Sequence, residues 1–347
     1  MEKPFITIIS PTRNEADFIQ ESLKSVLAQD YPSDRIEILI ADGMSTDGTR
    51  EIIWDFMQKD SCIKLLDNPG KIVPTGLNIA LRKAKGEIII RVDGHCQINP
   101  EYIQNCVNHI SRDKVDGVGG SIHTIGADSL SDTVAVAMSS PFGVGNSAFR
   151  TIQGKTMLVD SIPFPAYIRQ IIQKVGLYDE ELVRDQDDEY NYRIREAGGK
   201  LLLAADIRSQ YYSRGSFKKL WKQYFQYGFY KVRVLQKHPR QMSPRQFIPP
   251  AFVTALISTI LLSIFLRWGW VLLAFVGGSY LLANLMASVV TAAKKGWKHL
   301  PLLPLCFAIL HLSYGTGFLC GLVKFWNRWR DKKGKVPTFD FNESMHK

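Results

Sequence analysis

The sequence predicts an α/β domain built on a mostly parallel sheet, followed by hydrophobic membrane helices. Short apolar runs alternate with helix-periodic stretches through the first half, polar clusters fall directly after those runs, and three long uncharged segments follow residue 246.

Phe5 to Ile9 is the first apolar run and ends at Ser10-Pro11. Ala16 to Leu27 then places Phe18, Ile19, Leu23, Val26 and Leu27 at helical spacing. Ile36 to Ile40 repeats the strand, Asp42 to Gly48 is a polar loop, and Glu51 to Met57 reads as the next helix. Ile63 to Leu66 and Glu87 to Val92 are further strands, the latter running into Asp93-Gly94-His95. Ligands of such sheets bind beyond the carboxyl ends of the strands, so residues 11–15, 42–47 and 93–95 are expected on one edge.

The chain has 347 residues, a net charge of +10 and 46% hydrophobic residues, which excludes a disordered or fibrous protein. From Gln241 onward twelve Lys and Arg stand against three Asp and Glu, whereas the first 240 residues carry 31 against 30. A nucleic-acid binder needs its excess charge on the folded face, so nucleic acid is not an expected partner. Basic residues flanking greasy segments point instead to anionic membrane lipid.

Phe247 to Leu266, Trp268 to Ala293 and Leu300 to Val323 lack Lys, Arg, Asp and Glu. Each is long enough to cross a hydrocarbon core of about 30 Å. The N-terminus, Met-Glu-Lys-Pro-Phe, has no basic and apolar leader, so residues 1 to 240 are expected in the cytosol and the chain in the cell (inner or plasma) membrane as a multi-pass protein. Cys62, Cys96, Cys106, Cys306 and Cys320 show no C-x-x-C spacing and read as reduced thiols. Three full crossings would put Lys324, Arg328, Arg330, Lys332, Lys333 and Lys335 outside, against the positive-inside rule. Pro301, Pro304, His311, Gly315, Gly317 and Gly321 suit a segment that enters and returns. The expectation is two spans turning about Arg267, a third segment that is re-entrant or else a third span, and a cytosolic tail. Ser216 to Gln236 interleaves lysines with an apolar face and suits a helix in the membrane interface or one covering the domain core.

Several clusters carry candidate chemistry. Asp93-Gly94-His95 places a carboxylate and an imidazole two residues apart, a pair suited to Mn²⁺ or Mg²⁺ on a diphosphate, or simply a turn. Asp42 has acceptor oxygens for the imide N–H of a uracil, whereas Asp47 reads better as a helix cap. Thr12 to Glu15 hold a nucleotide or begin a helix. Gln186-Asp187-Asp188-Glu189 crowds acids at a helix start, which suits the helix dipole and equally a general base.

Together Ser10-Pro-Thr-Arg-Asn-Glu15, Ala41-Asp-Gly-Met-Ser-Thr-Asp-Gly-Thr49, Arg91-Val-Asp-Gly-His95 and Gln186-Asp-Asp-Glu-Tyr-Asn-Tyr-Arg193, in this order, resemble the inverting glycosyltransferase family 2. Within it the chain is most similar to the glucosyltransferases that add the second sugar of succinoglycan exopolysaccharide. The resemblance implies a GT-A fold, a UDP-sugar donor, glucose as the sugar, and a divalent metal, Mn²⁺ or Mg²⁺. By it Pro11, Thr12 and Glu15 line the nucleoside site, Asp42 contacts uracil, and Lys71 adds positive charge near phosphate. Asp93 touches ribose or metal, and His95 stands as a metal ligand where many members have a second Asp. Matching Arg193 to the family's downstream Arg makes Asp187 the base, with Asp188 the runner-up. Gly145, Asn146, Glu189 and Arg214 fall in the acceptor region, near Gly143 and Pro163 to Tyr167. Gln223-Tyr-Phe-Gln226-Tyr227 lacks the Arg-Trp of processive members, so a single addition is expected. The acceptor it implies is a lipid-linked (polyprenyl-diphosphate) saccharide. The expected organisation is a GT-A catalytic domain over 1–215, an interfacial helix and linker over 216–246, a membrane region over 247–323 and a basic tail over 324–347. The alternatives are a polyprenyl-phosphate sugar synthase and a non-catalytic nucleotide-binding scaffold.

Overall fold

The computed structural model describes residues 2–126, 128–145, 148–152, 154–212 and 215–339, with only the backbone of Ala148. It forms two compact units, one of Met1–His123, Ile152–Tyr211 and Lys333–Lys347, the other of Thr124–Thr151 and Tyr212–Lys332. The units therefore interleave in sequence, unlike the consecutive blocks 1–215 and 324–347 expected above. Along the chain the elements begin β1 (Ile6–Thr12), α1 (Ile19–Leu27), β2 (Ile36–Asp42), α2 (Thr49–Met57), β3 (Ile63–Asp67), α3 (Val73–Lys83), β4 (Ile88–Arg91), β5 (Cys96–Ile98), α4 (Tyr102–Asp113) and β6 (Gly117–Ile125). They continue with α5 (Ser129–Met138), α6 (Pro141–Val144), α7 (Ala148–Thr151), β7 (Met157–Leu158), β8 (Ala166–Ile168), α8 (Arg169–Val175), α9 (Gln186–Glu196) and β9 (Leu201–Tyr212). Four long helices follow: α10 (Phe217–Lys237), α11 (Ile248–Phe265), α12 (Arg267–Lys295) and α13 (Leu303–Lys324).

In the first unit the described strands make one mixed sheet in the order β3-β2-β1-β4-β8-β6-β9-β5, with β7 beside β9. β1, β2, β3 and β4 are parallel, and β8 enters antiparallel between β4 and β6. Every residue of β2 is buried, because helices cover both faces of a parallel strand. Register then decides what the sheet can do. Thr12 lies opposite Asp42, and Asp42 opposite Asp67, so the loops after β1, β2 and β3 leave from one edge. The run from Asn68 to Lys83 mixes Pro, Gly, Thr and Asn, which obscured α3 in the sequence, yet Pro74 sits in its first turn, where no N–H is missed.

The last described residues also belong to this unit. Lys335 donates its N–H to Asp179 Oδ1 at 2.8 Å and accepts from the Glu180 N–H at 3.0 Å. Phe339 packs on the core beneath the Arg82 guanidinium, 5.7 Å from its ring.

In the second unit Asp128 caps α5 through a reciprocal pair with Ser131. A backbone break at Leu266 separates α11 from α12, as expected for a turn about Arg267. α11, α12 and α13 are each long and apolar enough to cross a membrane. α13 differs in its surroundings: half of its most apolar stretch is buried in protein, against 17% for α11 and 11% for α12. It is also one unbroken helix, so the expected entry and return within the third segment is corrected. Its glycines serve close approach to neighbouring helices instead, Gly315 to α11 at Pro249 and Val253, and Gly317 and Gly321 to α10. A Cβ at Gly317 would lie 2.1 Å from the Phe225 carbonyl oxygen, one at Gly321 2.6 Å from that of Phe229, and one at Gly228 2.0 Å from that of Tyr314.

Asn78 on α3 is fully buried and ties the Tyr178 backbone in both directions, accepting from its N–H at 2.8 Å and donating to its carbonyl at 2.9 Å. Asn78→Ala leaves both groups buried without partners and is expected to lower the unfolding free energy by about 2–3 kcal/mol, measurable by thermal melting in detergent.

Candidate active site

The loops leaving β1 and β2 are sewn to each other. The Asn14 N–H donates to Ser45 Oγ at 2.8 Å, and the Thr46 N–H donates to Asn14 Oδ1 at 3.0 Å. The Ala16 N–H reaches Asp47 Oδ2 at 3.1 Å, while Asp47 Oδ1 accepts from the Thr49 N–H at 3.1 Å. Asp47 therefore fastens the turn before α2, whose N-cap is Gly48 and not Asp47 itself as its sequence position suggested. Glu15 is 7% exposed and its N–H donates to Thr49 Oγ1 at 2.9 Å. Thr12 is buried beneath Gly94, whose added Cβ would meet Thr12 Oγ1 at 3.0 Å, and Pro11 lies beside it at the end of β1.

Asp42 is fully buried; Oδ2 accepts from the Ser45 N–H at 2.9 Å and from Arg50 Nη1 at 2.8 Å, and Oδ1 accepts from Ser45 Oγ. A carboxylate so bonded anchors the loop. Arg50 also reaches Asp67 Oδ1 at 2.7 Å, so one guanidinium joins the ends of β2 and β3. Lys71 is exposed, holds a left-handed φ of 58°, and presents its carbonyl to Arg13 Nη1 at 3.2 Å.

The centre of the edge is Arg91, the last residue of β4. Its side chain is 6% exposed and forks onto Asp93, Nε to Oδ1 at 2.6 Å and Nη2 to Oδ2 at 3.0 Å. Nη1 donates to Asp187 Oδ1 in the first turn of α9. The sheet thus brings together Asp93 and Asp187, which are far apart in sequence. Their acidities move in opposite directions. Desolvation raises the Asp93 carboxyl, but Arg91, His95 and Arg184 outweigh it and hold it below the usual range. For Asp187 desolvation is again the largest cause and prevails, because Arg91 opposes it through one nitrogen while Asp93 adds repulsion. The Asp187 side chain stays 42% exposed, so water tempers that rise.

His95 packs edge-on against Tyr211, ring centroids 4.8 Å apart, with Nδ1 3.1 Å from Glu15 Oε1. That nitrogen is buried without a hydrogen bond of good geometry. Among the described residues no three His, Cys, Asp or Glu side chains gather as a metal cluster. Asp93 and His95 fit a divalent cation whose other ligands are diphosphate oxygens, since they offer one carboxylate and one unsatisfied imidazole nitrogen.

Glu189 stands two residues beyond Asp187 on α9. It is 1% exposed and forms a two-pronged pair with Arg193, at 2.7 and 3.1 Å. Arg193 in turn donates to the carbonyls of Val175 and Leu177, so Glu189 braces α9 from within and does not face an acceptor. Gly145 belongs to the second unit, with φ +65° and the Arg245 side chain beside it. Asn146 and Arg214 lie outside the described residues. Tyr167 donates through its hydroxyl to Asn191 Oδ1 at 2.6 Å. Arg50 and Arg91 were missed as site residues, although Arg91 ends the run Ile88-Ile-Ile, and a charge on a buried strand demands a partner.

A mixed sheet whose parallel strands end in sewn loops, with paired carboxylates at that edge, is the GT-A arrangement of a nucleotide-sugar transferase. The sequence profile described as Glycosyl transferase family 2 matches residues 7–176. A relative from Methanococcus voltae, named dolichyl N-acetyl-alpha-D-glucosaminyl phosphate 3-beta-D-2,3-diacetamido-2,3-dideoxy-beta-D-glucuronosyltransferase, is 31% identical over 241 residues, 67% of this chain and 74% of its own. The succinoglycan biosynthesis protein ExoA of Rhizobium meliloti (strain 1021) is 28% identical over 324 residues, 92% of this chain and 96% of its own. Among solved structures, the mannosyltransferase PcManGT from Pyrobaculum calidifontis, in complex with GDP-Man and Mn²⁺, superposes with a TM-score of 0.58 at 19% identity, covering 92% of this chain and 88% of that one. The chain belongs to glycosyltransferase family 2.

Proposed function

We propose that this protein is a membrane-anchored inverting glycosyltransferase. It moves a hexose, glucose on the subgroup resemblance, from a UDP-sugar to a lipid-linked saccharide in cell-surface polysaccharide assembly. The observation that carries the reading is the convergence of Asp93 and Asp187 on Arg91 at the carboxyl edge of the parallel strands. Full-length similarity to a succinoglycan protein supports the polysaccharide assignment. The dolichyl phosphate in the name of the M. voltae relative supports a lipid-linked acceptor.

The chemistry is a single displacement. An acceptor hydroxyl attacks the anomeric carbon, the carbon–oxygen bond to the diphosphate breaks, and UDP leaves with that electron pair. Asp187 takes the hydroxyl proton; its half-exposed carboxyl, raised by desolvation, suits a general base better than the buried Asp93. Asp93 and His95 would hold a divalent cation, Mn²⁺ or Mg²⁺, which supplies charge neutralisation for the departing diphosphate. Thr12, Pro11 and Glu15 shape the floor of the nucleoside site and Lys71 adds positive charge at its rim. Asp187→Asn is expected to lower kcat by about 100-fold or more while Asp188→Asn keeps most activity. Transfer of radiolabelled sugar to a lipid-linked monosaccharide reads both. A polyprenyl-phosphate sugar synthase, whose acceptor is already an anion, would tolerate Asp187→Asn. A scaffold would bind UDP and transfer nothing.

The proposed topology is a cytosolic catalytic unit with two spans, α11 and α12, in the cell membrane. Residues 333–339 fold into the same unit as residues 2–123, so the chain that leaves at 212 and returns at 333 crosses an even number of times. We infer that α13 is the one that does not cross, because half of its most apolar stretch is buried in protein and α10 beside it carries the buried Lys231 and Arg233. With the native cysteines replaced, Arg267→Cys is expected to react with a membrane-impermeant thiol reagent on intact cells. Lys347→Cys should react only after permeabilisation, and outside labelling of Lys347→Cys would overturn this topology.

A further inference from the structure

One guanidinium holds two carboxylates that the proposed reaction uses differently. Both oxygens of Asp93 face Arg91, at 2.6 and 3.0 Å, so a cation that takes Asp93 as ligand must share it with the guanidinium. Arg91 has a separate nitrogen, Nη1, on Asp187. A planar guanidinium spreads five N–H groups over three nitrogens, so it can let go of one acceptor while a separate nitrogen keeps the other; the three N–H groups of an ammonium share one nitrogen and do not reproduce that fork. Arg91 is itself fixed, standing at the end of β4 with Tyr167, Tyr178 and Tyr190 around the same small cavity. Asp187, by contrast, is 42% exposed in the first turn of a helix whose capping residue, Asp185, makes no side-chain cap bond.

We propose that Arg91 is a positioning residue for transfer: it holds Asp187 at the reacting centre and yields Asp93 to the divalent cation when the donor binds. The proposal rests on the reading of Asp93 as cation ligand and Asp187 as base. It assigns Arg91 opposite effects on two measurable quantities. The guanidinium competes with the cation for Asp93, so replacing it does not weaken cation binding. The same replacement leaves Asp187 untethered, so catalysis falls.

The test uses the full-length protein in detergent, with Arg91→Lys, Arg91→Gln and Asp93→Asn. Free Mn²⁺ is followed by electron paramagnetic resonance in the presence of UDP, and transfer kinetics are measured on the same samples. Arg91→Lys is expected to bind Mn²⁺ with UDP as tightly as wild type or more tightly, to keep the donor KM, and to lose about 100-fold in kcat. Arg91→Gln is expected to bind Mn²⁺ likewise and to transfer more slowly still. If it does not fold, Arg91→Lys, which keeps the charge, carries the test alone. A wild-type kcat in Arg91→Lys, or a parallel loss of Mn²⁺ binding and kcat, overturns the proposal. The reading beneath it fails separately: wild type that binds no Mn²⁺ with UDP, or Asp93→Asn that binds it unchanged, removes Asp93 as the ligand and the proposal with it.

Discussion

The Arg91 guanidinium is the interaction on which the site depends. Three carboxylates, Asp42, Asp93 and Asp187, crowd the carboxyl edge of a sheet whose interior is Ile, Leu and Val, and a protein of this kind cannot hold them there without compensating charge. Two arginines supply it. Arg50 neutralises Asp42 and joins it to Asp67, which fixes the loops, while Arg91 neutralises Asp93 and reaches Asp187. Removing one partner of the nearly buried Arg91–Asp93 pair costs on the order of 3–5 kcal/mol, enough to make the constellation a matter of folding as well as chemistry. The two arginines divide the work, one for the frame and one for the reacting groups.

That division explains what the sequence made legible. The apolar runs and the polar clusters after them placed β1, β2, β3 and β4 within a residue or three of their observed ends, because a parallel strand buried on both faces leaves a plain signature. Asp93 and Asp187 were singled out from motif and order, and the fold sets both against Arg91. The partners of Asp42 and Glu189 were invisible in sequence: Arg50 lies eight residues beyond Asp42 and Arg193 four beyond Glu189, and only the fold turns them inward. Arg91 had a signal, a lone charge closing an apolar strand, but its second partner comes from 96 residues away. The interleaved units were not legible either, since the return of residues 333–339 rests on backbone bonds that leave no pattern in side chains.

The hydrophobic region shows the limit of composition in another way. The third segment has the length and apolarity of a span, and so does its helix, yet α13 lies against α10 at glycine contacts and has half of its most apolar stretch covered. Apolar residues there serve protein packing as much as lipid. The glycines read as breaks of the helix were contact points for a second one, a distinction that depends on whether a neighbour exists.

The most direct test of the account is the stereochemistry of one turnover. Purified full-length protein is given Mn²⁺, a lipid-linked monosaccharide and a panel of UDP- and GDP-sugars, and the new linkage is read from its anomeric proton coupling by nuclear magnetic resonance. The account predicts transfer from one UDP-hexose with a β-linkage formed from an α-linked donor, as a single displacement with Asp187 as base requires. Retention of the α-configuration, or transfer from GDP-sugars alone, would contradict it.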